Sequence, residues 1–477
     1  MIRSYFLVLM SLWGVTVKAQ NYHAIQGSPY AGGLGIHNNP ASRLMSPFQW
    51  DLTLIGVQAK SSTNVFTIYN YSLLSNPAKS QYQLKGGDMK RFGALSVNLN
   101  LLNAAFALNR RTVIAFGANV KSVTNLSSSK YNFIDTLGNT GDFFRINNPG
   151  NTYKARITSA SWVEIYAGYS HTLIDDEAKR INAGITVKVN KGLSGARGEL
   201  HEGAFRRLAN NLYNISGGAV EYRYSSNYDR WKKNNSTSEN LHEFIQYTEG
   251  GISFDAGFEY IIKPDVARVF NDEDDYYDYD WKIGLSLLDA GYTQYRYGLQ
   301  SRYATSPKTN ITNQQLDSKF DSTITSMAIF NDSAATVVDN FTAISGVFKI
   351  INPMRIVLNI DRFIYRNIYI NADISINMPA SLLKKWYSVH EMNLLTITPR
   401  WETSRYGFYL PIQVTNTKRF WIGGAFKAGP LLFGIHNWAN LFTKNTIQNG
   451  GGYIALIIRN LAAIPKKYDR RLDCPAF

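Results

Sequence analysis

Strict alternation of apolar and polar residues over short stretches constrains this chain more than any other feature. The stretch 367–378 shows it most clearly. Every second residue there is apolar: Ile368, Ile370, Ala372, Ile374, Ile376 and Met378. The residues between them carry polar groups: Asn367, Tyr369, Asn371, Asp373, Ser375 and Asn377. Because successive side chains of a strand point to opposite faces, the stretch predicts a β-strand with lipid on one face and water on the other.

The same alternation recurs along the chain. It is clear in 181–190, 252–260 and 354–361, and weaker near 51–59, 92–108, 112–121, 161–171, 281–288, 406–414, 420–427, 430–437 and 452–460. A membrane-spanning strand needs about 9–11 residues, and bacterial barrels close with an even number of strands. The sequence therefore predicts an all-β fold, a transmembrane antiparallel β-barrel of about 14 strands, with 12 or 16 as alternatives. A secreted β-sandwich also alternates, but the number of segments and their strongly polar inner faces favour the barrel.

The N-terminal residues predict a secretory signal peptide. Arg3 supplies the positive start, the stretch from Tyr5 to Val17 is mostly apolar, and Ala19 is the small residue before the cut. No later apolar run reaches the roughly 20 residues of a membrane-spanning helix. We therefore expect export to the outer membrane of a Gram-negative bacterium. The expected divisions are a signal peptide at 1–20, an N-terminal segment at 21–47, a barrel at 48–461 and a C-terminal tail at 462–477.

Turn signals and aromatic residues complete the expected barrel. Short turns are predicted at 109–111, 175–177, 416–418 and 428–430. Long polar loops are predicted at 122–159, 192–249 and 292–343, with a short helix from Ala204 to Leu212. Aromatic residues at strand ends are predicted to form two girdles at the membrane interfaces. These are Trp50, Tyr69, Trp162, Trp281, Trp401, Tyr406, Trp421 and Tyr453.

Composition and charge limit the partners that a chain of this kind can have. Charged residues make up 18% of the chain, against about 25% in an average soluble domain. The net charge is +15, yet no block of Lys or Arg is long enough to follow a nucleic-acid backbone. We expect no nucleic-acid partner. The excess positive charge is expected either to contact outer-membrane lipid and lipopolysaccharide or to line a cationic lumen. The single cysteine, Cys474, excludes an intramolecular disulfide framework.

Several segments spread over almost the whole mature chain carry a family resemblance. They are Asn38-Asn39-Pro40-Ala41 and the stretches 97–103, 184–188, 284–291, 398–402 and 429–435. With them the chain resembles a Bacteroidota outer-membrane barrel family of unknown function, distantly similar to FadL-type channels for hydrophobic compounds. The resemblance implies that residues 21–47 plug the lumen through Asn39, Pro40 and Ala41. The polar inner face and the tail after Asn460 depart from that pattern.

Charged residues on the predicted inner face are the candidate lumen residues: Lys188, Asp255, Glu259, Asp361 and Asp373. Charged groups at membrane depth pair with one another or face water. Two interpretations satisfy that requirement equally. The residues line a permeation path, or they form a network of salt bridges that braces a plugged barrel.

Neither a catalytic site nor a cofactor is indicated. The seven histidines are scattered without a metal-binding spacing, so we expect no enzyme. The acidic run 272–280 suits Ca²⁺ through Asp272, Asp274, Asp278 and Asp280, since hard cations bind several carboxylate oxygens. It lacks the Gly and terminal Glu of an EF-hand, which favours a solvated connection between strands.

Two functions fit these observations. The first is a channel or transporter for a small solute, with the N-terminal segment in its lumen. The second is a structural or scaffolding barrel of a surface assembly or secretion machine, whose partners are other proteins. An outer-membrane hydrolase is a weaker third, since nothing in the sequence nominates a nucleophile.

Overall fold

The computed structural model describes residues 22–70, 72, 81–135, 137–209, 211–232, 234–264, 279–365, 367–379, 387–415, 419–442 and 448–460. The strands are β1 Trp50–Thr63, β2 Phe66–Tyr69, β3 Gln81–Leu84, β4 Gly87–Asn109, β5 Thr112–Phe133, β6 Tyr153–Asp175, β7 Lys179–Ala209, β8 Leu212–Tyr224, β9 Gly250–Ile262, β10 Trp281–Arg296, β11 Arg302–Pro307, β12 Val338–Ala343, β13 Val347–Ile351, β14 Arg355–Tyr365, β15 Ile368–Asn377, β16 Tyr387–Ser388, β17 Leu394–Glu402, β18 Tyr406–Tyr409, β19 Ile412–Thr415, β20 Phe420–Ile422, β21 Gly424–Ala428, β22 Leu431–Ile435 and β23 Asn449–Arg459. The α-helices are α1 Thr140–Ile146, α2 Thr237–Gln246, α3 Asn313–Lys319, α4 Met327–Val337 and α5 Ala439–Phe442. Short 3₁₀ segments occupy His23–Ile25, Pro29–His37, Pro40–Met45 and Ser226–Arg230.

The wall of the molecule is a closed antiparallel barrel of 14 strand positions. In order around the wall these are β1, β4, β5, β6, β7, β9, β10, β13 with β14, β15, β17, β18 with β19, β20 with β21, β22 and β23. The barrel closes because β1 pairs with β4 on one side and with β23 on the other. The predicted fold class and the predicted number of strands are confirmed.

The alternation of the sequence becomes the two surfaces of the wall. On β15, Asn371 and Asp373 point inward and are fully buried, whereas Ile368 and Ile370 point outward and are each 42% exposed. On β7, Lys188 is buried and Val189 is 64% exposed. The outer face is therefore apolar, as predicted. The inner polar face is not open to water: the N-terminal segment fills the lumen and covers it. Among the described residues, no helix has both the length and the apolar composition needed to cross a membrane.

The two ends of the barrel differ. At the end that we call the short-turn end, tight connections join β4 to β5, β6 to β7 and β21 to β22, as predicted. The turn predicted at 416–418 lies outside the described residues. At the opposite end, the loop end, the connections between neighbouring wall strands are up to several tens of residues long. β5, β6 and β7 continue past the wall there, and β8, β11 and β12 extend the same sheet outward.

The long polar stretches do connect wall strands at the loop end, but they are not simple loops, because a large part of each is strand. Pairing of β5 with β6 extends to Ser128 and Ala155, and pairing of β7 with β8 continues to Ala209. These extensions lie beyond the apolar belt, where both faces of a strand can be polar. Strict alternation is lost there, although the backbone pairing is not.

The helix predicted from Ala204 to Leu212 was wrong. Residues up to Ala209 belong to β7, and Leu212 begins β8. Asn211 has a positive φ of 58°, a conformation that Asn tolerates better than most residues and that tight hairpins require. In the sequence, Ala204, Leu208 and Leu212 recur at helical spacing without Gly or Pro between them, but hairpin pairing determines the structure.

The predicted aromatic girdles are only partly found. Trp281, Trp401 and Tyr406 are exposed on the outer face near the short-turn end, at 37%, 38% and 52%. Trp162 and Trp421, by contrast, are almost completely buried inside the barrel, and so is Tyr453. Those three were assigned to the wrong face because an aromatic residue near a strand end gives no sign of its direction when the flanking alternation is weak.

Candidate functional site

The N-terminal residues 22–45, which we call the lumen segment, lie inside the barrel and contact the wall on all sides. The segment is built of 3₁₀ turns that begin at Pro29 and Pro40, where the fixed φ of proline suits a first helical position. Five hydrogen bonds show its span around the wall. The Tyr22 hydroxyl donates to Asn100 (2.7 Å), the Ser28 hydroxyl to Glu402 (2.6 Å), the Gly33 amide to Asp51 (2.7 Å), and Ser170 and Ser286 donate to the carbonyls of Pro40 (2.7 Å) and Asn38 (2.7 Å).

Asn39, Pro40 and Ala41 sit against wall glycines. Gly184 and Gly257 are directly paired between β7 and β9. A Cβ atom at Gly257 would lie 2.1 Å from Asn39 Oδ1, and one at Gly184 would lie 2.6 Å from the carbonyl carbon of Pro40. The Asn39 side chain accepts from the Ala41 amide (2.9 Å) and donates to the Phe258 carbonyl (3.1 Å). Because these two glycines have no side chains, there is room for Asn39 and Pro40 directly against the wall. We call this site on Gly184 and Gly257 the glycine seat.

A buried network of ion pairs crosses the centre of the lumen. Asp289 accepts ion pairs from Lys121 (2.9 Å), Lys188 (2.7 Å) and Arg355 (3.0 Å). Lys188 also pairs with Asp255 (2.7 Å), and Lys121 pairs with Glu164 (3.1 Å). The network, which we call the central cluster, thus contains three cations and three carboxylates. Its charges balance, as burial in a lumen filled by protein requires.

A β-bulge places Asp289 at the middle of this network. Up to Leu287 the strand β10 follows one register with β9, and pairing resumes at Ala290 with a shift. Asp289 has a positive φ of 54°, and its amide donates to Asp255 (2.7 Å). Strict alternation from Lys282 would turn residue 289 outward, so the sequence pattern missed it. The signal that could have found it is an Asp within the apolar run 283–290, beside Gly291.

A second buried network, the short-turn cluster, lies nearer the short-turn end. Arg400 donates to Asp361 (2.8 Å) and to Glu402 (2.8 Å). The hydroxyl of Tyr279 also donates to Asp361. Glu402 in turn accepts from Ser28 of the lumen segment. Sequence reasoning singled out Asp361 but not Arg400, because the strand containing it was not among the alternating segments.

The five predicted lumen residues therefore divide into two groups. Lys188, Asp255 and Asp361 are held in the networks above. Glu259 and Asp373 are equally buried, but among the described residues no cation lies within ion-pairing distance of either carboxylate. No hydrogen bond of good geometry reaches the oxygens of Asp373, which faces Thr396 across the strand pair. All five point inward, and the structure does not join them into one path.

Residues 387–393, which we call the cap, fold into the lumen from the loop end. Glu391 accepts from Ser96 of β4 (2.5 Å), and the His390 amide donates to Asn125 of β5 (2.6 Å). Tyr387 lies between the guanidinium groups of Arg197 and Arg223, at 4.1 and 4.2 Å from its ring centre. The cap thus binds to several wall strands and covers the lumen opposite the lumen segment.

One histidine of the lumen segment, His37, is enclosed by protein. His37 is buried against Tyr166, with ring centres 5.3 Å apart, and contacts Asn100 at 3.3 Å. Burial lowers the pKa of His37 to about 3, and the nearby charge of Lys121 acts in the same direction. The imidazole is therefore neutral at physiological pH.

A large apolar cavity lies at the loop end, outside the barrel lumen. Its volume is about 1000 Å³, and it lies between the sheet extension and helices α1, α3 and α4. Aromatic rings from both sides line it, among them Phe144, Phe205, Tyr222, Phe320 and Phe330. Phe144 and Phe205 stack at 4.4 Å, and Tyr222 meets Phe330 edge-on at 5.4 Å. We call it the loop-end cavity. No pattern in the sequence pointed to it, because its walls come from many short stretches spread between residues 65 and 338.

The predicted calcium site cannot be placed in full. Asp272, Asp274 and Asp278 lie outside the described residues. Asp280 is described, and its amide donates to the carbonyl of Ile262 (2.9 Å) at the short-turn end. Within the part of the chain that the structure describes, no group of three or more His, Cys, Asp or Glu residues is arranged to hold a metal ion.

Comparison with known proteins gives one family match and several distant structural neighbours. The profile of a family of unknown function, DUF5723, matches residues 40–436. No curated protein sequence matches. Solved structures that resemble the chain include a Pseudomonas aeruginosa FadL homologue (10% identity, 93% of this chain and 98% of that one, TM-score 0.38). The Ralstonia pickettii toluene transporter TbuX (10%, 90% and 94%, 0.38) and the P. putida toluene transporter TodX (10%, 89% and 92%, 0.38) also resemble it.

The comparisons confirm two of the expectations drawn from the sequence. A family of unknown function covers most of the chain, and similarity to FadL-type channels exists and is distant. The bacterial phylum stays a prediction. Likenesses as low as these carry no argument about function.

Proposed function

Since the chain belongs to the DUF5723 family of unknown function, we propose from its own geometry that it is an outer-membrane transport protein. We propose further that it captures a small apolar molecule at its loop end. The observation that carries the proposal is the loop-end cavity, an apolar space of about 1000 Å³ held by a barrel with an apolar outer surface.

Placement in a membrane is supported by the outer face of the wall. Large apolar side chains are exposed on strand after strand, including Ile165 (65%), Val189 (64%), Phe254 (46%), Leu285 (51%) and Phe433 (51%). A soluble protein rarely exposes a continuous apolar surface of that extent. A closed barrel has no unpaired sheet edge, which is what a membrane-spanning sheet requires. Short turns at one end and long connections at the other are typical of the β-barrels of bacterial outer membranes.

An apolar ligand is supported by the chemistry of the cavity. Ligand sites are clefts of roughly 300–1,000 Å³ lined mainly by apolar and aromatic side chains. Here Phe, Tyr, Leu, Ile, Val and Met residues supply most of the lining, while Arg156 and Glu199 stand at its margin and pair with each other. Water in such a space lacks hydrogen-bond partners, so an apolar solute displaces it favourably.

Passage through the lumen requires movement, because protein closes it at two levels. The lumen segment fills it from the short-turn side and the cap covers it from the loop side. The ion pairs of the central cluster join six consecutive strands of the wall, from β5 to β14. We therefore infer that Lys188, Asp255 and Asp361 brace the closed state, and that permeation depends on displacement of the lumen segment or the cap.

The proposal is tested by binding of N-phenyl-1-naphthylamine, a dye that fluoresces in apolar surroundings, to the refolded barrel. We expect saturable binding that Phe330→Asp weakens at least tenfold, because a carboxylate in an apolar site must be desolvated. Leu299→Asp is the matched control, since Leu299 is 76% exposed at the same end and does not line the cavity. If both variants bind the dye like the wild type, the cavity is not a ligand site and the proposal fails.

A scaffolding role is the second candidate, and the closed lumen is the observation that favours it. A barrel whose working surface is its loop-end extension needs no open path. Steady conductance in planar bilayers after release of the lumen segment supports transport. Persistent silence, together with proteins that co-purify through the loop end, supports the scaffold.

A further inference from the structure

The outer face of β17 to β22 carries an apolar groove of about 510 Å³, which we call the wall groove. Two rows of outward-facing residues form it. The row nearer the short-turn end is a run of directly paired residues, Ile368, Trp401, Phe408, Phe426 and Phe433. The next row contains Pro399, Leu410, Gly424 and Ile435. Large rings thus flank a floor of smaller residues.

Local sequence explains why the wall is hollow here. Gly424 has no side chain, and a Cβ atom at that position would lie 2.2 Å from the indole nitrogen of Trp438. The indole therefore lies directly on the backbone of Gly424. The Trp438 amide donates to the Ile422 carbonyl (2.8 Å), which fixes the tryptophan on the outer face. Trp438 closes the loop side of the groove, and the aromatic row closes the other side.

The lining of the groove is poor in polar groups and offers a ligand no unpaired charge. Arg400 borders it, but its guanidinium is engaged with Asp361 and Glu402 inside the barrel. The remaining lining is apolar or aromatic, apart from Tyr409, whose hydroxyl donates inward to Glu402 (3.1 Å). Apart from the indole N–H groups of Trp401 and Trp438, a polar solute or a lipid head group therefore finds no partner among the lining side chains, and the groove suits an apolar occupant better than water.

We propose that the wall groove holds one acyl chain of a membrane lipid. The groove continues the same outer face that carries the apolar belt, at the level of Ile368 and Phe433, so acyl chains are the molecules present around it. Aromatic rings at close spacing, with Trp401 5.7 Å from Phe408 and Phe408 4.9 Å from Phe426, offer a rigid apolar wall along which a flexible chain packs. The proposal rests on membrane embedding, not on the loop-end cavity or on transport.

The test counts lipid bound to the barrel. The full mature protein is refolded into vesicles of phosphatidylcholine that contain a phospholipid with a nitroxide on its acyl chain. Electron spin resonance then measures how much of the labelled lipid is immobilised beyond the ordinary boundary lipid. We expect about one such lipid per barrel. Leu410→Trp fills the groove and removes that signal.

Two further variants keep the result interpretable. Leu285→Trp adds the same ring to the apolar belt on β10, where Leu285 is 51% exposed and does not line the groove, and it leaves the signal unchanged. Trp438→Ala removes one side of the groove without filling it and weakens retention. Folding of each variant is checked by the electrophoretic mobility of unheated samples.

Three outcomes overturn the proposal. The wild type immobilises no lipid beyond the boundary population, or Leu410→Trp retains as much as Leu285→Trp. In the third, excess N-phenyl-1-naphthylamine displaces the labelled lipid from the wild type, which assigns the groove to an apolar solute instead. The Phe330→Asp variant tests the loop-end cavity and does not alter the wall groove. The spin-label result and the dye-binding result therefore test the two proposals separately.

Discussion

At the scale of single residues, Asp289 forms more ion pairs than any other described carboxylate of the lumen. One carboxylate accepts ion pairs from three cations, and all four side chains are almost fully buried. Buried charges are costly unless each is paired. The role of Asp289 is therefore to compensate Lys121, Lys188 and Arg355 together, while Glu164 and Asp255 supply the remaining negative charge.

Replacing Asp289 by Asn should lower the free energy of unfolding by about 3–5 kcal/mol, the range found when one partner of a buried ion pair is removed. Urea titration of the refolded barrel in vesicles measures it. Asp88→Asn is the control, because its pair with Lys130 is half exposed, and such pairs contribute roughly 0–1 kcal/mol. Equal losses for both variants would show that the central cluster does not brace the barrel.

At the scale of elements, the strands with regular alternation were predictable and the irregular parts were not. Lys188, Asp255 and Asp361 were placed on the inner face correctly because their strands keep a period of two. Asp289 was missed because a bulge breaks that period. The cap was missed because its residues belong to no periodic segment. The position of the lumen segment follows from a resemblance at Asn39-Pro40-Ala41, since 3₁₀ turns leave no periodicity in a sequence.

A prediction at the scale of elements concerns the glycine seat, which should hold the lumen segment in place. Gly257→Ala should displace the lumen segment, because the new methyl group would lie 2.1 Å from Asn39 Oδ1. We expect faster proteolysis of the N-terminal segment by added trypsin, which cleaves after Arg43 once that bond is accessible. Gly217→Ala is the matched control, because the nearest atom to its Cβ would be 3.7 Å away, an ordinary contact. Similar digestion of both variants and the wild type would mean that the seat does not hold the segment.

At the scale of the whole molecule, closure at two levels determines how the lumen can open. Removing residues 22–47 clears the short-turn side but leaves the cap bound to β4, β5 and the extension of β7 and β8. We expect low conductance for the wild type in planar bilayers and a measurable increase for this deletion. A further increase is expected when residues 387–393 are also replaced by a Gly-Ser segment of the same length.

Conductance that is high in the wild type would contradict this view of the lumen, and so would a double variant that remains silent. The control for both is the deletion combined with Leu299→Asp, which alters the loop end without touching the cap. Its conductance should equal that of the deletion alone.

The length of β7 has a consequence for how a solute first meets the protein. The strand has 31 residues, whereas about 9–11 suffice to cross a bilayer, so roughly 20 residues at about 3.3 Å each lie outside it. The walls of the loop-end cavity belong to that outer part. Under the proposed function, a molecule that binds there therefore comes from the aqueous phase and not from the bilayer. The rate at which it binds should then follow its aqueous concentration rather than its solubility in lipid.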